Sequence, residues 1–312
     1  MYIRRFQPDK DLPALETYLR EQYSRNKNMT TWLPERLHDL LYRMSAMETD
    51  NGSERSMDHI FLCEENGELI ACILPDGENI YFSIKQGFES LFPALLTYSE
   101  ENCLPMFRKA EDGSVKFWVA VSDGLPYMRE HLQKLGYQRF AEDDYDNFIH
   151  PMQAELSVEL PEGYTLRYGE DYPDEYRKWE ALHLGFHPDH EDTDYRNSMN
   201  PYHSRKNSSL YRDSFECLVI DETVREGNDV CAYCFVYVDE QTKTALIEPV
   251  STREKYQRKG IGTAMLHGAV LRCKEKGIET CYVNSFGWRK KFYNAAGFIT
   301  EDSTGYWYKI LK

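Results

Sequence analysis

The stretch that decides the fold runs from Glu248 to Ala264 and reads EPVSTREKYQRKGIGTA. Its first residues form the end of the strand-like segment TALIEPVST, and its last residues begin an amphipathic helix that the apolar spacing predicts over 261–276. Between the two lies a basic turn that ends in Gly-Ile-Gly. About four backbone N–H groups are unpaired at a helix start, where the helix dipole also favours an anion. The stretch therefore predicts a strand, a cradle for a diphosphate group and a helix.

The glycine spacing separates this cradle from two other phosphate-binding loops. The Gly-Lys-Ser/Thr ending of a Walker loop is missing, and so is the third glycine of a dinucleotide fingerprint. Two glycines still let the backbone approach a phosphate closely, because neither carries a Cβ atom. The stretch is therefore neither of these two motifs.

The segment QRKGIG, residues 257–262, resembles the diphosphate motif of the GNAT acetyltransferase superfamily at each fixed position, Gln/Arg-x-x-Gly-x-Gly/Ala. That superfamily continues with a strand that often ends near an Asn, and then with a helix that carries a Tyr shortly before Gly-Phe. Here the strand-like segment 279–283, Asn284, Tyr293 and Gly297-Phe298 take those places. The resemblance covers about residues 164–312.

The resemblance implies a coenzyme A site, with acetyl-CoA as the usual co-substrate and no metal. Pantetheine would lie between the strands at 244–252 and 279–285, and a lysine or arginine of the basic turn or of the last helix would meet the 3′-phosphate. The implied cofactor-binding residues are Val250, Thr252, Gln257, Arg258, Lys259, Gly260, Ile261, Gly262, Thr263, Asn284 and Lys290.

The implied reaction is direct attack of an amine on the thioester, so the enzyme has to orient the amine, remove a proton and protonate the leaving thiolate. Glu248 is our candidate for the base, because it lies two residues from Val250 and would share its strand face. Tyr293 matches the family's acid. The alternatives are a strand carboxylate paired with a lysine or arginine, and a tyrosine that packs against the strand layer.

The order of strands and helices in the first half recurs in the second, with EHLQKLGYQRF and KFYNAAGFIT at equivalent places. We predict an α/β fold of two tandem GNAT-like domains, each a mixed, mostly antiparallel sheet flanked by helices. Residues 1–150 form the first domain, 163–312 the catalytic domain, and a linker joins them near 150–163. In the first domain the phosphate loop has a single glycine and the anionic Glu89, so we expect that domain not to bind coenzyme A.

Charge is distributed unevenly along the chain. The net charge is −15, and it divides into −10 over 1–152, −12 over 153–249 and +7 over 250–312. An acidic protein is a poor partner for nucleic acid, whereas a basic segment suits an anionic cofactor. The acidic side favours a cationic acceptor, either a small amine or a basic peptide.

The segment after residue 182 is dense in potential ligands, with His183, His187 and His190 among Asp189, Glu191, Asp192 and Asp194. Its H-x3-H spacing would suit a metal on a helix, but Gly185 and Pro188 interrupt the helical pattern, so we predict no metal there. An acidic acceptor pocket and a solvated loop remain as the two interpretations.

The 312 residues suggest two domains, and no apolar run reaches the roughly 18 residues of a membrane span. The N-terminus lacks the apolar region of a signal peptide, and eight scattered cysteines suit reduced thiols. We therefore expect a cytoplasmic monomer or homodimer without a membrane partner. A non-catalytic coenzyme A sensor, a longer acyl group and a hydroxyl acceptor remain as alternative functions.

Overall fold

The computed structural model describes residues 1–30, 32–45, 54–140, 144–152, 155–188 and 195–312. The chain divides into two units, one of Met1–Asn147 with Glu301–Lys312 and one of Phe148–Thr300. The last twelve residues thus join the first unit, whereas the sequence places them in the second domain. The roles predicted for the two domains stay predictions.

The first unit is a mixed, mostly antiparallel sheet with helices on both faces. Its helices are α1 (Pro8–Asn26), α2 (Pro34–Ser45), α3 (Phe92–Asn102) and α4 (Pro126–Lys134). Its strands are β1 (Tyr2–Arg5), β2 (Phe61–Glu65), β3 (Glu68–Asp76), β4 (Asn79–Ile84), β5 (Val115–Ser122) and β6 (Gln138–Arg139). The strand β7 (Tyr145–His150) spans the boundary between the units.

The last strand, β13 (Ile299–Leu311), explains why the chain end belongs to the first unit. It pairs antiparallel with β5 without interruption, from Thr304 opposite Ser122 to Leu311 opposite Val115. The order in this unit is β1-β2-β3-β4-β5-β13, with β6 also paired to β13. Apolar residues of α3 and α4 pack against one face of the sheet, and those of α1 and α2 form a second core.

The second unit has the same layered construction, which confirms the predicted fold class. Its helices are α5 (Glu175–Phe186), α6 (Tyr195–Arg205), α7 (Ile261–Glu275) and α8 (Lys290–Ala295). Its strands are β8 (Tyr164–Tyr168), β9 (Cys217–Asp221), β10 (Val230–Asp239), β11 (Thr244–Thr252) and β12 (Thr280–Phe286), in the order β8-β9-β10-β11-β12, with β7 beyond β12. Only β11 and β12 pair in parallel among the strand pairs described there.

All ten residues of β10 are buried, which accounts for its nearly continuous apolar sequence VCAYCFVYVD. Helix α5 packs very closely on the neighbouring strand β11. The Ser251 hydroxyl donates to the carbonyls of Ala181 and Leu182, both at 3.1 Å, and a Cβ atom on Gly185 would lie 1.8 Å from Ser251 Oγ. The sequence ended this helix near Gly185, but the helix continues to Phe186, so the glycine serves close packing.

The segment predicted as a linker packs on the second unit. The apolar side chains of Met152, Leu156 and Leu160 contact its core, and His267 Nδ1 lies 2.8 Å from the carbonyl oxygen of Ser157. All eight cysteines are buried free thiols. Among the described residues, no helix is both long and apolar enough to cross a membrane.

Candidate functional site

The two strands that flank the predicted cofactor site separate soon after they begin. Strands β11 and β12 pair only from Thr244 opposite Thr280 to Leu246 opposite Tyr282. On the other side of β11, the register with β10 shifts between residues 247 and 250, so that two residues of β11 face one of β10. Such a bulge bends a strand. The remainder of β11 is therefore left with an edge that β12 does not pair, as the predicted pantetheine site requires.

The turn after β11 has the geometry of an anion cradle. Arg258 and Gly260 have positive φ values of 62° and 80°, and Gln257 Nε2 donates to the Thr252 carbonyl at 3.0 Å. Within the described residues, the backbone N–H groups of 260–263 have no acceptor, and the first turn of α7 holds no acidic side chain. Unpaired N–H groups with no competing carboxylate are what a diphosphate needs, so these residues fit coenzyme A.

The two glycines of the cradle are required for different reasons. Gly260 has open space around its Cα atom, and its left-handed φ is what favours glycine there. Gly262 lies in a crowded position, where a Cβ atom would come within 2.9 Å of Thr252 Oγ1 and 3.2 Å of Phe292 Cε2. Gly262 therefore lets α7 approach both β11 and α8, a constraint that the sequence motif alone does not reveal.

Tyr293 lies on α8 and is 4% exposed. Its ring stacks on Phe148 with centroids 5.1 Å apart, and Phe292 and Phe298 complete its surroundings. Burial raises the pKa of Tyr293 to about 12, and the charge of Glu248 adds to the rise, while a hydrogen bond with Ser285 and the charge of Arg289 oppose it. The phenol therefore keeps its proton at neutral pH and is available as a hydrogen-bond donor.

Glu248 and Tyr293 come within electrostatic reach of each other, although the reasoning that placed Glu248 does not hold. On a regular strand, residues two positions apart lie on the same face. Here the bulge between Ile247 and Val250 interrupts that alternation. Ile247 and Val250 both contact the same core as a result. The charge of Glu248 contributes to the raised pKa of Tyr293, so the two candidate groups interact electrostatically.

Positive charge collects around the cradle. The ammonium groups of Lys255 and Lys259 lie 4.8 and 5.5 Å from the centroid of the buried Tyr256 ring. Arg253 has a structural role, since its Nη1 donates to the carbonyls of Asn228 and Val230 at 2.9 and 3.0 Å. The +7 excess lies wholly within residues 250–300, because residues 301–312 carry two acidic and two basic side chains.

The other predicted cofactor residues lie on the two separating strands and at the start of α8. Asn284 is half-buried on β12, Lys290 is exposed at the start of α8, and Val250 and Thr252 are half-buried on β11.

A buried ionic cluster, which sequence reasoning missed, links helix α5 to the residue after helix α6 and the residue before strand β9. Lys178 Nζ lies 3.0 Å from Glu216 Oε2, and these residues are 1% and 0% exposed. Glu216 also accepts from Tyr233 Oη at 2.6 Å and pairs with Lys206. Burial alone would lower the pKa of Lys178, but the attraction of Glu216 and Glu175 outweighs it and raises that pKa. The partners are up to 38 residues apart, so no local pattern announces the cluster.

The first unit repeats the strand separation but not the cradle. Strands β4 and β5 pair only at Asn79–Trp118 and Ile80–Val119. In the loop that follows β4, the Gly87 N–H donates to both carboxylate oxygens of Glu89 at 3.0 Å. A side-chain carboxylate therefore takes a backbone N–H group that an anionic ligand would use.

The first unit also lacks a counterpart of Tyr293. The Phe298 N–H donates to the Tyr293 carbonyl at 3.0 Å, and the Tyr137 N–H donates to the Leu132 carbonyl at 2.9 Å in the same way. Leu132 therefore takes the place of Tyr293 and offers no hydroxyl group.

The histidine segment is only partly within the described residues. The rings of His183 and His187 are 5.0 Å apart, whereas His190, Asp189, Glu191, Asp192 and Asp194 lie outside the part of the chain that the structure describes. Gly185 does not interrupt the helix that carries His183, contrary to the prediction. No group of metal-ligating side chains is found in the described ranges.

Comparisons with known proteins agree with this geometry. Residues 213–300 match the acetyltransferase (GNAT) domain family. No curated protein sequence shows significant similarity to the chain. Among solved structures, a GCN5-related N-acetyltransferase from Sphaerobacter thermophilus superposes with a TM-score of 0.65 at 16% identity, over 99% of this chain and 95% of that one.

A tandem GNAT protein from the clavulanic acid biosynthesis pathway gives a TM-score of 0.64 at 11% identity, over 99% and 98% of the two chains. A GNAT-family acetyltransferase from Colwellia psychrerythraea gives 0.55 at 12% identity, over 99% of each chain. At such low identities these likenesses show the fold alone. The chain thus has the fold of tandem GNAT proteins, and residues 213–300 of its second unit match the GNAT acetyltransferase domain.

Proposed function

We propose that the protein is an acetyl-CoA-dependent N-acetyltransferase that passes an acetyl group directly to the amine of a small cationic acceptor in a ternary complex. One observation carries the proposal: the backbone N–H groups of 260–263 have no hydrogen-bond partner among the described residues, and they follow strand β11, whose far end is not paired with β12. Tyr293 and Glu248, close enough to influence each other, add the two proton-handling groups that the reaction needs.

Different residues bind the cofactor and take the proton from the amine. When bound, acetyl-CoA supplies an activated thioester with a thiol as the leaving group. The backbone N–H groups of 260–263 hold the diphosphate, and Lys259 and Lys290 supply positive charge nearby. An alkylammonium acceptor with a pKa of about 10.4 is charged at neutral pH, so it has to lose a proton before it attacks. Glu248 accepts that proton, directly or through water.

The pKa of Tyr293 refines its part in the reaction. A phenol with a pKa of about 12 is a weaker acid than a thiol, whose usual pKa is about 8.5. Tyr293 therefore stabilises the charge that develops on the leaving sulfur by donating a hydrogen bond from Oη, while its proton stays mainly on oxygen. The same pKa keeps the donor intact across the physiological pH range.

The test combines coenzyme A calorimetry with a thiol-release assay on a panel of amines. Tyr293→Phe should lower turnover about 10²- to 10³-fold and leave the Kd of coenzyme A within about twofold, since the hydroxyl acts only on the reacting sulfur. Tyr176→Phe on α5, where the ring is exposed, is the matched control and should behave as the wild type. An unchanged single-turnover rate in the Tyr293 variant would remove this residue from the mechanism.

The same assays separate the alternatives. Tight coenzyme A binding without thiol release from any acceptor would support a non-catalytic sensor. Thiol release only from thioesters with longer acyl chains would show that the transferred group is a longer acyl group and not acetyl. A product cleaved by hydroxylamine would be an ester and would identify a hydroxyl acceptor, because an amide product resists that reagent.

A further inference from the structure

Two large aromatic side chains stand exposed immediately after β12. Phe286 is 40% exposed and Trp288 is 64% exposed, the highest exposure of any large apolar residue in the described part of the second unit. A tryptophan of this exposure buries little of its own apolar surface in the fold. Exposed aromatic surface beside a candidate site often marks a place where a ligand binds.

The position of Trp288 links it to the diphosphate cradle. Strands β11 and β12 are parallel, so the cradle that follows one and the aromatic segment that follows the other lie at the same edge of the sheet. The Phe292 ring packs against Gly262 in the cradle. Trp288 lies in the 3-10 turn Gly287–Arg289 that leads directly into α8, so only three residues stand between it and the ring that packs on the cradle.

The charge around Trp288 suits a nucleotide. The Arg289 guanidinium carbon lies 4.6 Å from the centroid of the Trp288 ring, and the exposed Lys290 and Lys291 follow. No acidic residue occurs between Glu279 and Glu301. An aromatic face with adjacent cations is the combination with which proteins bind a base and its phosphates.

We propose that Trp288 is the stacking platform for the adenine of the coenzyme A held at the cradle, and that Lys291 joins Lys290, which the family resemblance already implies, in facing its 3′-phosphate. The inference rests on the proposed function, because it requires the same cofactor. It adds that this chain recognises the nucleotide end through a side chain outside the Gly-x-Gly motif. A base offers a π-face to any aromatic ring, so the contact needs no hydrogen-bond pattern.

The test compares ligands that share the pantetheine arm with its first phosphate but differ at the nucleotide end. Kd values for coenzyme A, 3′-dephospho-coenzyme A and 4′-phosphopantetheine are measured by calorimetry on the full chain. Trp288→Leu should raise the Kd of both nucleotide-containing ligands about 5- to 100-fold, since a base–aromatic stack typically contributes that much. The Kd of 4′-phosphopantetheine should change less than about twofold.

Matched variants isolate each part of the proposal. Trp288→Phe keeps an aromatic face and should stay within about threefold of the wild type for coenzyme A. It should also abolish the quenching of tryptophan fluorescence that coenzyme A, but not 4′-phosphopantetheine, causes in the wild type. Lys290→Gln with Lys291→Gln should weaken coenzyme A more than its dephospho form. Ile299→Ala, exposed in the same unit, should leave all three Kd values unchanged.

Each outcome decides something. If the wild type binds coenzyme A and Trp288→Leu binds it equally well, the platform is wrong and the proposed function stands. If the leucine variant weakens all three ligands alike, the ring acts on the fold and the platform is wrong as well. If the wild type binds none of the ligands, both proposals fail. If sedimentation shows self-association that only Trp288→Leu abolishes, with coenzyme A binding unchanged, the ring serves an interface instead.

Discussion

His150 should make the second unit sensitive to mild acid. It lies at the end of β7, is 2% exposed, and neither ring nitrogen has a hydrogen-bond partner among the described residues. A Cβ atom on Gly297 would lie 2.9 Å from its Nε2, so the ring packs directly against the backbone of Gly297. Burial lowers the pKa of His150 to about 4, and electrostatic interactions with His267 and Lys274 contribute to the shift.

The direction of the effect follows from proton uptake. A histidine in the unfolded chain has a pKa of about 6.5, so the unfolded state binds a proton below that pH while the folded state does not. The stability contribution of the neutral ring is complete above pH ~6.5 and is lost as the pH falls towards ~4. With pKa values of about 4 and about 6.5, the loss at pH ~5 is about 2 kcal/mol.

The assay is urea unfolding of the wild type and of His150→Leu at several pH values between ~7.5 and ~5, followed by hydrogen exchange in β10 so that the second unit is observed directly. Other groups also titrate in this range, so the quantity of interest is the difference between the two proteins. The leucine variant should gain about 2 kcal/mol relative to the wild type as the pH falls. His203→Gln, an exposed histidine in the same unit, should follow the wild type. Parallel profiles for wild type and His150→Leu would refute the reasoning.

Three further predictions concern the packing of the site and the first unit. Glu216→Gln takes the fully buried carboxylate away from the buried Lys178, whose remaining partner Glu175 is partly exposed, and should lower the free energy of unfolding by about 3 to 5 kcal/mol. Glu222→Gln, in an exposed ion pair, should lower it by less than about 1 kcal/mol, and equal losses in urea unfolding would contradict this. Gly262→Ala should weaken coenzyme A binding and destabilise the second unit by about 1 to 3 kcal/mol, because the added methyl group meets two neighbouring side chains. If the variant keeps the wild-type Kd for coenzyme A in calorimetry and the wild-type melting temperature, the crowding is harmless and the prediction is wrong. Coenzyme A should bind with one molecule per chain, because Glu89 takes the equivalent backbone donor in the first unit, and a calorimetric stoichiometry near two would overturn that expectation.

Local features of the site were predictable because they are encoded within a few neighbouring residues. The turn from β11 into α7 needs a left-handed glycine and a run of N–H groups without acidic neighbours, and both are visible in 257–263. The periodicity of α7 and the apolar run of β10 likewise depend on spacing along the chain. The sequence by itself therefore determined the fold class, the cradle and the two candidate proton-handling groups.

Tertiary structure decided which distant segments meet. The pairing of Thr304 with Ser122 assigns the chain end to the first unit, and it joins residues that no local pattern connects. The bulge at Glu248 becomes visible only when β11 is placed against β10, since a register shift is a property of two strands together. The closeness of Gly262 to Phe292 belongs to the same class. Hydrophobic spacing specifies which side of a segment is buried, whereas the partner it is buried against depends on how the whole chain packs.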